Sequence, residues 1–168
     1  MPILLNTTVL SNLAAINRLD LLTLLQDKLY VASAVYEEAQ LGLAEGHVFL
    51  GYVDAALDAG ILSLVTLENE AELKHYRAMP RKLHRGEAMS LAIARCRDWR
   101  FLTDDRAARA YAKQLGVDYS GTLGLLTYAI RQGCLTVEQG NALLKAMVIS
   151  ARYRSPVQDL RALLEEDA

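Results

Sequence analysis

The chain has 168 residues, 52% of them hydrophobic and 23% charged, and carries a formal net charge of −2 at pH 7. Such a length and composition suit one domain with a self-sufficient core and exclude a disordered chain, while the charge excludes a global attraction for nucleic acid and leaves only a local basic patch for that role. No apolar run approaches the roughly 18 to 20 residues of a membrane helix, and MPILLNTTVL has no basic lead or cleavage signal of a secretion peptide, so a cytoplasmic location is expected.

Pro2 to Leu5 reads as a short apolar strand broken by Asn6, Thr7 and Thr8, residues that favour caps. A helix follows from Val9, with Leu10, Leu13 and Ala14 near a helical period and a break around 17–20. Lys28 to Val31 predicts a second strand, and Ser33 a helix N-cap for a segment carrying Glu37 and Glu38. A helix over Val48–Ala59, closed by Gly60, leads to a strand over Ile61–Thr66 and a short polar helix over Glu68–Tyr76. Ala78 to Arg85 reads as a basic loop, and Gly86 to Arg97 as a helix with Glu87 in its first turn.

Trp99 to Leu102 predicts a buried strand ending in Thr103, Asp104 and Asp105. Helix 106–115 ends at Gly116, Val117 to Tyr119 is the last strand, and Ser120 caps a helix running to Gly133. Thr136 caps another through Ile149, and Pro156 to Glu166 closes the chain as an amphipathic helix. Strand and helix alternate throughout, which argues for a doubly wound α/β sandwich with a short parallel sheet. The long helices from Thr136 onward exceed what such a core needs, so they either pack back as a layer or form a homodimer face.

In a parallel sheet the ligand crevice lies beyond the carboxyl ends of the strands. Asn6, Glu38 (or Glu37), Glu87, Asp104 and Asp105 all fall at strand ends or helix starts. Carboxylates gathered there repel one another unless a cation or proton neutralises them, and all-oxygen donors suit Mg²⁺ or Mn²⁺. Each residue alone also suits an ordinary helix cap or dipole partner. Arg81, Lys82, His84 and Arg85 precede Glu87, and Arg106 and Arg109 follow Asp105, placed either to grip phosphates or as solvated surface. His47, His75 and His84 lack metal-ligand spacing and are expected on the surface, and Cys96 and Cys134 are expected as buried or half-buried thiols.

The ordered segments NTTVLSNLAAINRLDLL, YVASAVYEEA, HRGEAMSLAIA and FLTDDRAARAYAKQLGVDYSGTLGLL resemble the PIN-domain nucleases, nearest the VapC-like branch labelled DUF3368, over about residues 3–133. The resemblance implies a PIN-like (RNase H-like) three-layer α/β/α sandwich, with 134–168 as a helical extension of a single domain. It also implies a metal-dependent endoribonuclease using Mg²⁺ or Mn²⁺, the toxin of a pair held by a small antitoxin. The family's acidic positions fall on Asn6, Glu38, Glu87 and the Asp104–Asp105 pair, with Thr8, Thr103 and Thr122 in supporting places. The family has Asp where this chain has Asn6, so activity is expected to be weak or absent. The alternative is a catalytically silent PIN-like module that binds RNA or protein.

Overall fold

The computed structural model describes residues 1–165. Its sheet has five strands, β1 Ile3–Leu5, β2 Leu29–Ala32, β3 Ser63–Val65, β4 Arg100–Leu102 and β5 Tyr119–Ser120, in the order β3-β2-β1-β4-β5. Every pair is parallel, and Leu5 stands opposite Val31 on one side and Leu102 on the other. The chain therefore steps outward from β1 to β3 and returns to the far side of β1 for β4 and β5. That reversal puts a topological switch point between the carboxyl ends of β1 and β4, where a crevice opens. Ile3, Leu4 and Leu5 are all buried, with no alternation, because a central parallel strand is covered on both faces.

The helices are α1 Thr7–Ala15, α2 Ser33–Ala44, α3 Gly51–Asp58, α4 Glu70–Arg77, α5 Arg85–Arg97, α6 Arg106–Leu115, α7 Thr122–Arg131, α8 Val137–Ser150 and α9 Arg161–Glu165. Short 3-10 segments lie at Leu19–Leu25 and Val48–Leu50. Helix α5 is buried continuously from Gly86 to Ala94, packed against α2, α4 and α6, so the element that carries Glu87 is fixed by core on every side. Helix α8 packs back on α1 and α7, burying Leu144 and Met147. Among the described residues no helix is long and apolar enough to cross a membrane.

Several local expectations are corrected. Ser33 is the first residue of α2 and not its cap; Ala32 holds the cap position, and the Ser33 hydroxyl turns to Thr66 Oγ1 at 3.3 Å. Ser120 does not cap α7, because it pairs in β5, where its carbonyl accepts from the Thr103 N–H; Gly121 takes the cap position. The last helix starts at Arg161 and not at Pro156, since Ser155 Oγ engages Val157 in a turn and Asp159 accepts from the Arg161 N–H. Glu166, expected in that helix, lies outside the described residues. Cys96, in α5, and Cys134, between α7 and α8, are exposed free thiols. His47 and His84 are exposed as expected, while His75 is half-buried.

One buried ion pair had no signal in the pattern of apolar residues. The Glu72 side chain, fully buried, accepts from Arg97 Nε at 2.6 Å and ties α4 to α5. The Arg97 guanidinium, foremost, holds the Glu72 carboxyl below its ordinary value against the opposing effect of burial. A depressed carboxyl contributes stability above its unfolded pKa and loses that contribution as pH falls through the folded one. Arg97→Leu is expected to cost about 3 kcal/mol in urea denaturation at neutral pH, by leaving a buried charge unpaired. The cost should shrink markedly as pH falls to about 3, where the unpaired carboxyl takes up a proton.

Candidate functional site

Asn6 joins β1 to α1. It occupies the cap position of α1 with extended backbone, φ −89° and ψ 160°, yet its side chain makes no capping bond. A forgone cap of this kind costs about 1 kcal/mol. The amide instead reaches across the switch point, where Nδ2 donates to Thr103 Oγ1 at 2.9 Å and to Glu87 Oε1 at 3.3 Å. The Asn6 N–H donates to the Leu102 carbonyl at 2.9 Å, so main chain and side chain together clasp the end of β1 to the end of β4. Asn6 Oδ1 is buried and has no partner among the described residues.

Glu87 meets this amide from α5. It is 4% exposed, and its second oxygen accepts from the His84 N–H at 3.0 Å. Burial, foremost, pushes its carboxyl above the ordinary value, and the charge of Asp105 adds to the rise; the His84 N–H and the Asn6 amide oppose it. Glu38 comes from α2 and accepts from Thr7 Oγ1 and, at 3.0 Å, from the Gly86 N–H. A Cβ at Gly86 would stand 2.8 Å from Glu38 Oε1 and from Val35 Cγ2, so only glycine lets α5 begin this close to α2. Glu37, the neighbour, faces outward to Arg85 Nη1 at 2.7 Å.

The two aspartates after β4 divide their work. Asp104 turns inward and accepts from the Thr122 N–H at 2.9 Å, from the Thr122 hydroxyl and from Asn12 Nδ2 at 2.9 Å. Its own N–H donates to Thr8 Oγ1 at 3.0 Å. Asp105 is the cap of α6, accepting from the Ala108 N–H at 2.8 Å, and its N–H donates to Thr103 Oγ1 at 3.1 Å. Gly121 lies against Asp104 Oδ1 and the Thr103 carbonyl, where any Cβ would collide. Thr7 and Asn12 were missed in the sequence. Asn12 left a faint signal as a polar residue within the buried stripe of Leu10, Leu13 and Ala14.

The basic residues are unequal. Arg85 is held by Glu37, Lys82 Nζ lies 5.0 Å from the centre of the Tyr111 ring, and Arg109 donates to the Thr103 carbonyl at 2.8 Å with Asp104 Oδ1 at 3.6 Å. Arg81 and Arg106 are exposed, with no ion pair among the described residues. A groove of about 700 Å³ opens beside Asp104 and Asp105, bounded by Thr8, Ser11, Arg106 and the segment 151–154.

The donor set is all oxygen and suits a hard divalent cation in kind. It does not suit one in charge or in free lone pairs. Position 6 is neutral, and among the four carboxylates only Asp105 Oδ2 has no donor from the described residues. No three Asp, Glu, His or Cys side chains among those residues group closely enough to hold a metal. The Asn6 amide supplies to Glu87 and Thr103 the positive contact that a cation would otherwise give.

The profile of DUF3368, a PIN-domain family, matches residues 2–166. A solved structure similar in fold is VapBC2 from Rickettsia felis bound to a DNA fragment from its promoter, at TM-score 0.51 and 14% identity, covering 72% of this chain and 98% of that one. No curated protein matches.

Asn6→Asp exchanges a donor for an acceptor facing Glu87. In the presence of a chelator this is expected to lower stability by about 2–3 kcal/mol, the cost of a buried like-charge contact that forces one group to keep a proton. Thermal melts of the two proteins, with EDTA and then with excess Mn²⁺, check this. Recovery of the loss in Mn²⁺ by the Asp form alone is the expected outcome.

Proposed function

The chain belongs to the PIN-domain family DUF3368, and from that premise we propose a PIN-type endoribonuclease, the toxin member of a toxin–antitoxin pair, held to weak or no activity by Asn6. One observation carries the proposal: the Asn6 amide joins Glu87 to Thr103 at the switch point between β1 and β4, with Asp104 and Asp105 following Thr103 and Glu38 on the flanking helix. Metal-assisted cleavage of a phosphodiester needs carboxylates that hold a cation in a site open to solvent on one side, and the groove beside Asp104 supplies that opening.

In the Asn6→Asp form, the new carboxylate, Glu87 and an aspartate of the Asp104–Asp105 pair would be the donors for Mg²⁺ or Mn²⁺. Glu38, bridged to Thr7 and to the start of α5, holds the rim of the site in place. Thr8, Thr103 and Thr122 orient it through the Asp104 N–H, the Asn6 amide and the Asp104 carboxylate. RNA is the proposed substrate. A small antitoxin covering the groove is the proposed partner, by likeness in fold to a chain of a VapBC complex.

A second reading, a catalytically silent module that binds RNA or protein, is favoured by the donors already engaging the carboxylates. Calorimetric titration with Mn²⁺ separates the two readings when RNA cleavage is run on the same samples of the parent chain and Asn6→Asp. The nuclease reading expects Mn²⁺ affinity at least tenfold tighter in the Asp form, about 1.4 kcal/mol, with cleavage appearing there. Inertness of the Asp form toward both metal and RNA overturns it in favour of the silent module.

A further inference from the structure

We propose that the segment leaving α8, Arg152-Tyr153-Arg154, forms with Arg106 a phosphate-binding rim that lays a single strand of RNA across the acidic groove. This rim rests on the reading of the site as one that receives RNA, and it adds the residues that hold the strand.

Apart from Arg131, the arginines of the chain divide by whether a carboxylate already holds them. Arg18, Arg85, Arg97, Arg100, Arg109 and Arg161 are each in an ion pair with one. Arg77, Arg81, Arg95, Arg106, Arg152 and Arg154 are in none among the described residues. Three of these six, Arg106, Arg152 and Arg154, line one groove, the same one that holds Asp104 and Asp105. In a chain of net charge −2 this is a local concentration of uncompensated guanidinium at the edge of an acidic floor. Guanidinium forks bind phosphate oxygens in pairs, and the hydroxyls of Thr8 and Ser11, which line the same groove, can donate to the same backbone.

The segment is built to present these groups. Its path is fixed by Met147, whose carbonyl accepts from the N–H groups of both Ala151 and Tyr153. Tyr153 lies against the apolar side of α8 beside Leu144 and Val148, in a hollow that also contains Val157, and it also lines the groove. With this ring as anchor, the residues on either side are exposed. Arg152 has φ +55°, at the position after the helix cap where glycine is favoured. Asn17, Gln26 and Asp98 share that conformation, so strain alone selects nothing. What distinguishes Arg152 is that a strained, unpaired arginine stands on a groove whose floor is the candidate site.

The test is fluorescence anisotropy of a labelled single-stranded RNA with the full chain in EDTA, over a range of salt. Loss of two phosphate contacts makes the slope of log affinity against log salt shallower by about 1.4, equivalent to roughly 25-fold weaker binding near 0.1 M salt. Arg152→Ala/Arg154→Ala is expected to show both changes. Arg77→Ala/Arg95→Ala, which removes the same charge elsewhere, is expected to show little of either. Arg152→Gly guards against misfolding: it should melt higher than the parent, by relieving the backbone, and still bind more weakly. Unchanged binding by Arg152→Ala/Arg154→Ala, equal losses in the two double variants, or no RNA binding by the parent overturns the rim. Failure of the nuclease reading is separate. An inert Asn6→Asp form whose RNA binding still depends on Arg152 and Arg154 removes the enzyme and keeps the rim.

Discussion

Carboxylates collected at the mouth of a parallel sheet must each find a donor or a cation, and that requirement shapes every element around the switch point of this protein. The Asn6 amide is the central answer. It stands where β1 ends, bonded at once to Thr103 after β4 and to Glu87 on α5. A neutral amide satisfies Glu87 with no ion, which lets the fold close on its own side chains. An aspartate in the same place would present a second acceptor to a carboxyl that burial already holds above its ordinary value. One atom exchanged, nitrogen for oxygen, decides whether Glu87 meets a donor or a second acceptor.

The same requirement explains why three helices begin here. Glu38 accepts from the N–H of Gly86 in α5, Asp105 from Ala108 in α6 and Asp104 from Thr122 in α7. Helix N-termini carry unsatisfied N–H groups and partial positive charge, so each offers a donor that costs no side chain. Bringing them this close demands small residues, which is why glycine precedes Glu87 on α5 and Thr122 on α7. At Asn6 the logic runs the other way. Its side chain leaves α1 uncapped in order to serve the site, and α1 is held instead by packing of Val9, Leu10 and Leu13.

How much of this the sequence disclosed follows from the range of each interaction. Strand and helix order, the parallel sheet and the strand-end carboxylates rest on local periodicity and charge, and these are visible within a few residues. Helix boundaries were less secure where one side chain could serve two masters. Ser33 and Ser120 look like caps, but β5 pairing claims Ser120 and contact with Thr66 claims Ser33. Glu37 and Glu38 could not be told apart before the geometry of Gly86 turned one inward. Asn12 and the pair Glu72–Arg97 depend on partners 92 and 25 residues away, and no periodicity reports contacts of that span.

The arginines carry the same lesson further. Arg106 and Arg109 sit about one turn apart at the start of α6, with equal charge and both close in sequence to Asp105. Arg109 turns toward the sheet, donating to the Thr103 carbonyl and approaching Asp104, so its charge is spent on stabilising the strand end. Arg106 faces the groove with no described carboxylate to neutralise it. Arg152 and Arg154, far along the chain, reach that groove because α8 folds back on α1 and releases the chain beside Thr8 and Ser11. A guanidinium can grip an incoming phosphate only if the protein has left it unpaired, and that is decided by tertiary packing, not by nearness in sequence to an acidic motif.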